Sequence, residues 1–176
     1  MENLSFIQCE LTDLKELQTF SIETFVATYQ ADNSRKNLND YIKKQLSTKQ
    51  LSKEMTLPDS TFYFLKKEAE LLAYLKINTE MAQTEEIGST EKSLELERIY
   101  IAKKAQGQGL GRFLIDQVTS IATDLKKERI WLGAWEHNYK ALAFYHKMGF
   151  KEISTHPFYM GNEKQNDLIL EKTLNV

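Results

Sequence analysis

The sequence predicts an α/β fold, and three stretches carry the prediction. Residues 94–101 alternate apolar and charged side chains at period two before closing on Ile99-Tyr100-Ile101, the pattern of a partly buried strand. In the next ten residues Gly107, Gly109 and Gly111 take alternate positions, where the backbone can adopt angles that a β-carbon resists. Beyond them Phe113, Leu114, Gln117, Val118, Ile121, Ala122 and Leu125 recur at helical spacing. A strand, a glycine-rich turn and an amphipathic helix therefore form the centre of the chain.

The other elements fall around it in order. Leu4, Phe6 and Ile7 mark a first strand over residues 4–9, and Thr12-Asp13 is a cap for a helix carrying Leu14, Leu17, Phe20, Ile22, Phe25, Val26 and Tyr29. Asn33-Ser34 caps a second helix carrying Leu38, Tyr41, Ile42 and Leu46, followed by a short turn over residues 51–55. Core packing accounts for most of these aromatic residues. Residues 61–65 and 71–77 are apolar, β-rich runs divided by residues 66–70, which reads as a hairpin. Residues 78–92 are polar and acidic, a loop in which Glu80, Glu85 and Glu86 form either a cation site or a solvated acidic surface. After the central unit come a buried strand over 129–135 and a short helix over 138–147. Two last strands over 150–155 and 167–173 close the chain, the first extended by Phe158-Tyr159-Met160 and joined to the second around the turn signal Gly161-Asn162.

Composition sets the outer limits. A chain of 176 residues with two prolines and no internal repeat is expected to form one domain, residues 1–176, whose core needs no disulfide. Cys9 is the only cysteine, and no leader-like or membrane-length apolar run occurs, so a reducing cytoplasm is the expected compartment. Cys9 reads as a strand residue rather than a nucleophile. The net charge is −2 with 27% charged residues and no basic cluster beyond residues 126–129, which gives neither nucleic acid nor a membrane an electrostatic footprint.

The glycine turn opens a helix, and a helix start offers unpaired N–H groups and a positive dipole end. Phosphate is the expected guest. A P-loop would need Gly-Lys-Ser/Thr here, but Gly111 is followed by Arg112 and Phe113. A dinucleotide fingerprint needs Gly-x-Gly-x-x-Gly early in a βαβ unit, and Gly107-x-Gly109-x-Gly111 has neither the spacing nor the place. The pattern Gln106-x-x-Gly109-x-Gly111, directly after Ile99-Tyr100-Ile101, instead resembles the pyrophosphate loop of the GNAT acyl-CoA N-acyltransferases. A second signature of that family comes later in the chain: Asn138-x-x-Ala141-x-x-Phe144-Tyr145-x-x-x-Gly149-Phe150. Asn138 and Gly149 also have local reasons, as a helix cap and as a left-handed helix end.

The resemblance implies a mixed, mostly antiparallel sheet with helices on both faces, splayed where coenzyme A enters, and acetyl-CoA as co-substrate, with no metal. It implies that the loop Gln106, Gly107, Gln108, Gly109, Leu110, Gly111 and Arg112 grips the diphosphate, while the backbone of Ile99, Tyr100 and Ile101 pairs with the pantetheine arm. Asn138, Phe144, Tyr145 and Lys147 complete the expected coenzyme site. Gln108 replaces a basic residue often seen in this loop, leaving Arg112 or Lys104 to offset the diphosphate charge. The first two helices would wall the acceptor pocket, which makes Phe25, Thr28 and Tyr29 candidates for substrate contact. Further runs at 93–101, 130–136, 158–161 and 167–169, with Ser21-Ile22-Glu23-Thr24-Phe25, resemble the PaiA-type spermidine/spermine N-acetyltransferases. The implied partner is a small polyamine, with a homodimer left open.

Acetyl transfer to an amine needs a deprotonated nitrogen, a polarised carbonyl and a proton for the departing thiolate. By its place in the motif, Tyr145 is the general acid. Glu95 and Glu97 lie two residues apart on one strand face, and Glu97 is the preferred base because it is nearer the end where the sheet should splay. Glu23, Glu95 and Glu97 are candidate carboxylates for a polycationic acceptor. A backbone N–H of Ile99 or Tyr100 is placed to serve the carbonyl oxygen. His137 and His146 read as solvent-facing or capping side chains. A protein or peptide N-acetyltransferase and a non-catalytic acyl-CoA sensor are the competing readings.

Overall fold

The computed structural model describes residues 3–160 and 163–175, so the turn expected at Gly161-Asn162 lies outside the described residues. The chain opens with β1 (Leu4–Gln8), then α1 (Leu14–Tyr29), α2 (Arg35–Gln45) and α3 (Thr48–Met55). Asp13 does not cap α1. Its carboxylate instead accepts from the Glu10 N–H at 2.9 Å, closing the short turn that precedes the helix. Ser34 caps α2, accepting from the Asn37 N–H at 3.1 Å. Where a short turn was expected, α3 runs for two turns because the Ser47 hydroxyl accepts from the Gln50 N–H at 3.2 Å.

The hairpin comes next as β2 (Ser60–Lys67) and β3 (Glu70–Asn78), and the acidic connection after it leads into β4 (Ser93–Ile101). Beyond it lie α4 (Leu110–Asp124), β5 (Arg129–Trp135) and α5 (Tyr139–Lys147). Two long strands, β6 (Lys151–Met160) and β7 (Glu163–Thr173), end the chain, and β7 starts four residues before the expected boundary. Leu125, expected on the helix, lies just past the end of α4 and is half exposed. No helix among the described residues is long and apolar enough to cross a membrane.

Among the described residues seven strands form one sheet in the order β1-β2-β3-β4-β5-β7-β6. Every pairing is antiparallel except β4 with β5, which is parallel. Successive strand residues point to opposite faces, and this sorts the helices. Tyr100 stacks on Tyr74, whose ring takes the edge of Phe20 from α1, whereas Ile101 approaches Gly111 of α4. Helices α1 to α3 therefore cover one face, and α4 with α5 the other.

Two irregularities in β4 open the sheet. It pairs with β5 at only three positions, Ser93, Leu94 and Glu95, after which the strands part and the β5-facing backbone groups of β4 lose their partner. Against β3, Lys76 faces Arg98 and Ile77 faces Leu96, so Glu97 is the extra residue of a β-bulge. The bulge turns Glu97 and Arg98 together toward α3.

Leu110, Leu114, Val118 and Ala122 form the buried stripe of α4, and Leu114 is fully enclosed. Leu114→Ala should lower unfolding stability by about 3 kcal/mol, read from urea denaturation, because the packed face cannot close over the vacated volume.

Candidate active site

Where β4 and β5 part, a cleft of about 670 Å³ opens. One end is the glycine turn. Gly107 and Gly109 have φ of +77° and +83°, and a Cβ built on either would meet no atom within 4 Å, so both face open space. The backbone N–H groups of residues 107–112 donate to no acceptor among the described residues. These amides form a cradle suited to an anion at a helix start. Gly111 serves differently: a Cβ there would stand 3.0 Å from Phe144, so glycine lets α4 approach α5. Gln106 braces the loop, donating to the Ile101 carbonyl at 3.2 Å and accepting from Lys140 at 2.9 Å. Lys103, Arg112, Lys140 and Lys147 line this end, a cationic rim that fits a diphosphate.

The middle of the cleft passes Tyr145. Asn138 accepts from the Ala141 N–H at 3.2 Å and so starts α5, which carries Tyr145 against Phe150. Its phenol makes no side-chain hydrogen bond among the described residues, and burial raises its pKa well above the ordinary tyrosine value. It stays protonated at neutral pH.

On the far side lies a buried charge network. Glu54 of α3 meets Lys76 at 3.0 Å and Arg98 at 2.9 Å, and Glu97 meets the same two cations at 2.5 and 3.1 Å. Gln50 donates to Glu54 at 2.7 Å. Two carboxylates thus balance two cations out of water, an arrangement that holds only while every member is present. Burial works against the Glu97 charge, but Arg98 and then Lys76 outweigh it and hold the carboxyl below its ordinary range. Glu95 is the fifth charge and has no cation. Burial and the neighbouring Glu97 raise it to about 7, against hydrogen bonds from Thr84 and Asn78. Asn78 bridges the pair, donating to Glu95 at 2.8 Å and to Glu97 at 2.6 Å.

Comparison with known proteins puts this geometry in context. The model of the acetyltransferase (GNAT) family matches residues 16–150. An uncharacterized N-acetyltransferase of Lactobacillus delbrueckii subsp. lactis is 37% identical over 174 residues, covering 99% of each chain. The chain belongs to the GNAT acetyltransferase family. Its fold also matches PaiA N-acetyltransferase from Thermoplasma acidophilum in complex with coenzyme A, with a TM-score of 0.75 and 18% identity over 97% of this chain and 99% of that one. A spermidine N-acetyltransferase SpeG variant from Vibrio cholerae gives 0.70 and 19% identity, over 98% and 95%. Family membership makes the chain an N-acetyltransferase with acetyl-CoA as its acyl donor.

Within this GNAT cleft, most of the residues singled out in the sequence lie together. Ile99, Tyr100, Ile101, Gln106, Gly107, Gly109, Leu110, Gly111 and Arg112 line it, as do Asn138, Phe144, Tyr145 and Lys147, and Thr28, Tyr29 and Glu97 face it from the other side. Four do not reach it, Glu23 among them. Gln108 folds back to donate to the Lys104 carbonyl at 3.0 Å, Phe25 stacks on Tyr41 at 4.4 Å behind Tyr29, and Glu95 is spent on Asn78 and Thr84. Lys104 pairs with Glu70 at the surface, so Lys103, Lys140 and Lys147 take the place expected of it beside Arg112. Glu23 is exposed and off the cleft.

The acidic connection is not a cation site built on Glu80 and Glu85, since Glu80 pairs with buried Lys127 and Glu85 with His156. His146 is bonded to the Phe150 carbonyl and His137 to Tyr139, both away from the cleft. Burial pushes the Cys9 thiol up, which disfavours the thiolate. Sequence reasoning missed Glu54, Lys76, Arg98 and Trp135. The available signal was a lysine at position 76 inside an otherwise apolar strand run.

Glu95 binds a proton more tightly in the folded chain than in the unfolded one, where its value is near 4.5. Its stabilising contribution is full below that value and is lost as pH rises through about 7. Between about pH 5 and about pH 8, the wild type should lose up to about 3 kcal/mol relative to Glu95→Gln, read as the difference between their urea unfolding curves.

Proposed function

We propose that the chain transfers acetyl directly to a primary amine of a small polycation, with spermidine or spermine as the acceptor. Bound acetyl-CoA supplies a thioester, an acetyl group on a thiol leaving group. The amides of residues 107–112 and the cationic rim hold its diphosphate, and the unpaired edge of β4 offers hydrogen bonds to the pantetheine arm. A backbone N–H of Ile99 or Tyr100, on that same edge, serves the carbonyl oxygen.

Tyr145 Oη keeps its proton in a dry site and gives it to the departing sulfur. Glu97 remains ionised between Lys76 and Arg98, attracts the acceptor ammonium and receives the proton that the amine must shed. Because those cations weaken it as a base, Glu97 acts chiefly by placing the amine, and Glu95, closer to the ideal basicity, is out of reach behind Asn78. No acyl-enzyme is required. The same reading takes residues 1–176 as one domain working in a reducing compartment, where Cys9 stays free.

The observation that carries this reading is the shared cleft: one cavity holds the amide cradle, a neutral phenol without a hydrogen-bond partner among the described residues, and an ionised carboxylate. The polycationic acceptor is favoured because the Glu97 carboxylate lines the cleft together with the Tyr29 and Trp135 rings. Thiol release from acetyl-CoA should be fastest with spermidine and spermine in a panel that also holds monoamines and peptides. A protein that bound coenzyme A yet released thiol with no amine would refute the proposal. Tyr145→Phe should lower kcat by at least about 100-fold while coenzyme A affinity stays within about twofold, separating a proton donor from a packing residue.

A further inference from the structure

One carboxylate near the cleft is not accounted for by the chemistry above. Asp167 lies on β7 directly opposite Trp135 of β5 and His156 of β6. Cross-strand partners share a sheet face, so its side chain stands on the face covered by α1 and α2. It has no hydrogen bond or ion pair within 4 Å among the described residues. The side chain of His156, its cross-strand partner, is engaged by Glu85 at 2.9 Å. Gly133 lines the cleft, and a Cβ built there would sit 3.5 Å from Asp167 Oδ2. With glycine at this position, no side chain stands between the cleft lining and the carboxylate.

Aromatic rings stand on the same side of the sheet as Asp167. Tyr29 and Trp135 have centroids 6.2 Å apart, and those of Tyr41 on α2 and Phe158 on β6 lie 5.8 Å apart. Burial raises Asp167 to about 6, countered by His156 and aided by Glu136, so it is mostly ionised at neutral pH but poorly hydrated. An ionised, dehydrated carboxylate among ring faces suits an organic ammonium, which gains from charge and from the ring quadrupoles together. An anion would be repelled.

We propose that Asp167, walled by Trp135, Tyr29, Tyr41 and Phe158, binds a second, distal ammonium of the acceptor while Glu97 holds the amine that reacts. The inference rests on the amine-acceptor reading and narrows it: acceptors with two or more ammonium groups are selected over monoamines of similar length.

Calorimetric titration of the coenzyme A-loaded protein with spermidine, and with butylamine, tests this directly. Asp167→Asn should weaken spermidine binding roughly tenfold and leave butylamine binding and coenzyme A affinity unchanged. Gly133→Ala, whose methyl would meet Asp167 at ordinary contact distance, should weaken spermidine binding in the same direction without disturbing the sheet. Equal losses for both amines, unchanged spermidine affinity in Asp167→Asn, or no spermidine binding to the wild type would each overturn the proposal. Because the readout is binding, a protein that binds spermidine through Asp167 but never acetylates it would refute the proposed activity and leave this site standing.

Discussion

The cleft depends on one constraint: two parallel strands that stay paired for three residues and then separate. A sheet normally has no room for a ligand, because neighbouring strands satisfy each other's backbone groups. Where β4 and β5 diverge, that satisfaction is withdrawn on the β4 side and a slot runs through the sheet. Helix α4 begins at one mouth of the slot and α5 borders it, so the helix-start amides and the Tyr145 phenol reach the same space from different elements. Glycine at position 111 permits this, since the Phe144 ring occupies the volume a side chain would need.

The opposite wall is held by charge rather than by packing. Glu97 reaches the cleft only because it is the extra residue of a bulge, and the bulge is fixed by Lys76 and Glu54 from other elements and by the neighbouring Arg98. Lys76 and Arg98 also lie over the Phe62 ring, 5.5 and 6.0 Å from its centroid, which gives these cations a second source of stabilisation away from water. The carboxylate facing the cleft is therefore held in place, ionised at neutral pH and only weakly basic, properties suited to orienting an ammonium.

The glycine-turn and α5 side of this candidate site was legible in the sequence, and the side built from Glu54, Lys76 and Arg98 was not. Gly107, Gly109, Asn138 and Gly149 act through local backbone geometry, so their spacing along the chain already carries their meaning, as the Asn138 cap and the φ of +90° at Gly149 illustrate. Elements with strong periodicity were placed well, and α4 ends within a residue of its expected limit. The bulge at Glu97 broke the period-two rule, so Arg98, expected to face away from Glu97, lies beside it. Phe25 illustrates the same difficulty from another side: a helix residue near the cleft in sequence terms is covered by Tyr29 and Tyr41 in space. Asp167, Trp135, Tyr41 and Glu54 come from four separate elements, and only tertiary packing brings them near one another.

The even balance of Glu54 and Glu97 against Lys76 and Arg98 limits how this lineage can change. A single exchange at any of the four positions strands an opposite charge in the interior. Descendants can depart from the arrangement only by altering an acid and a base in the same step, or by first opening that corner to solvent. Those four positions should therefore drift as a block among relatives, while the exposed residues around them diverge independently.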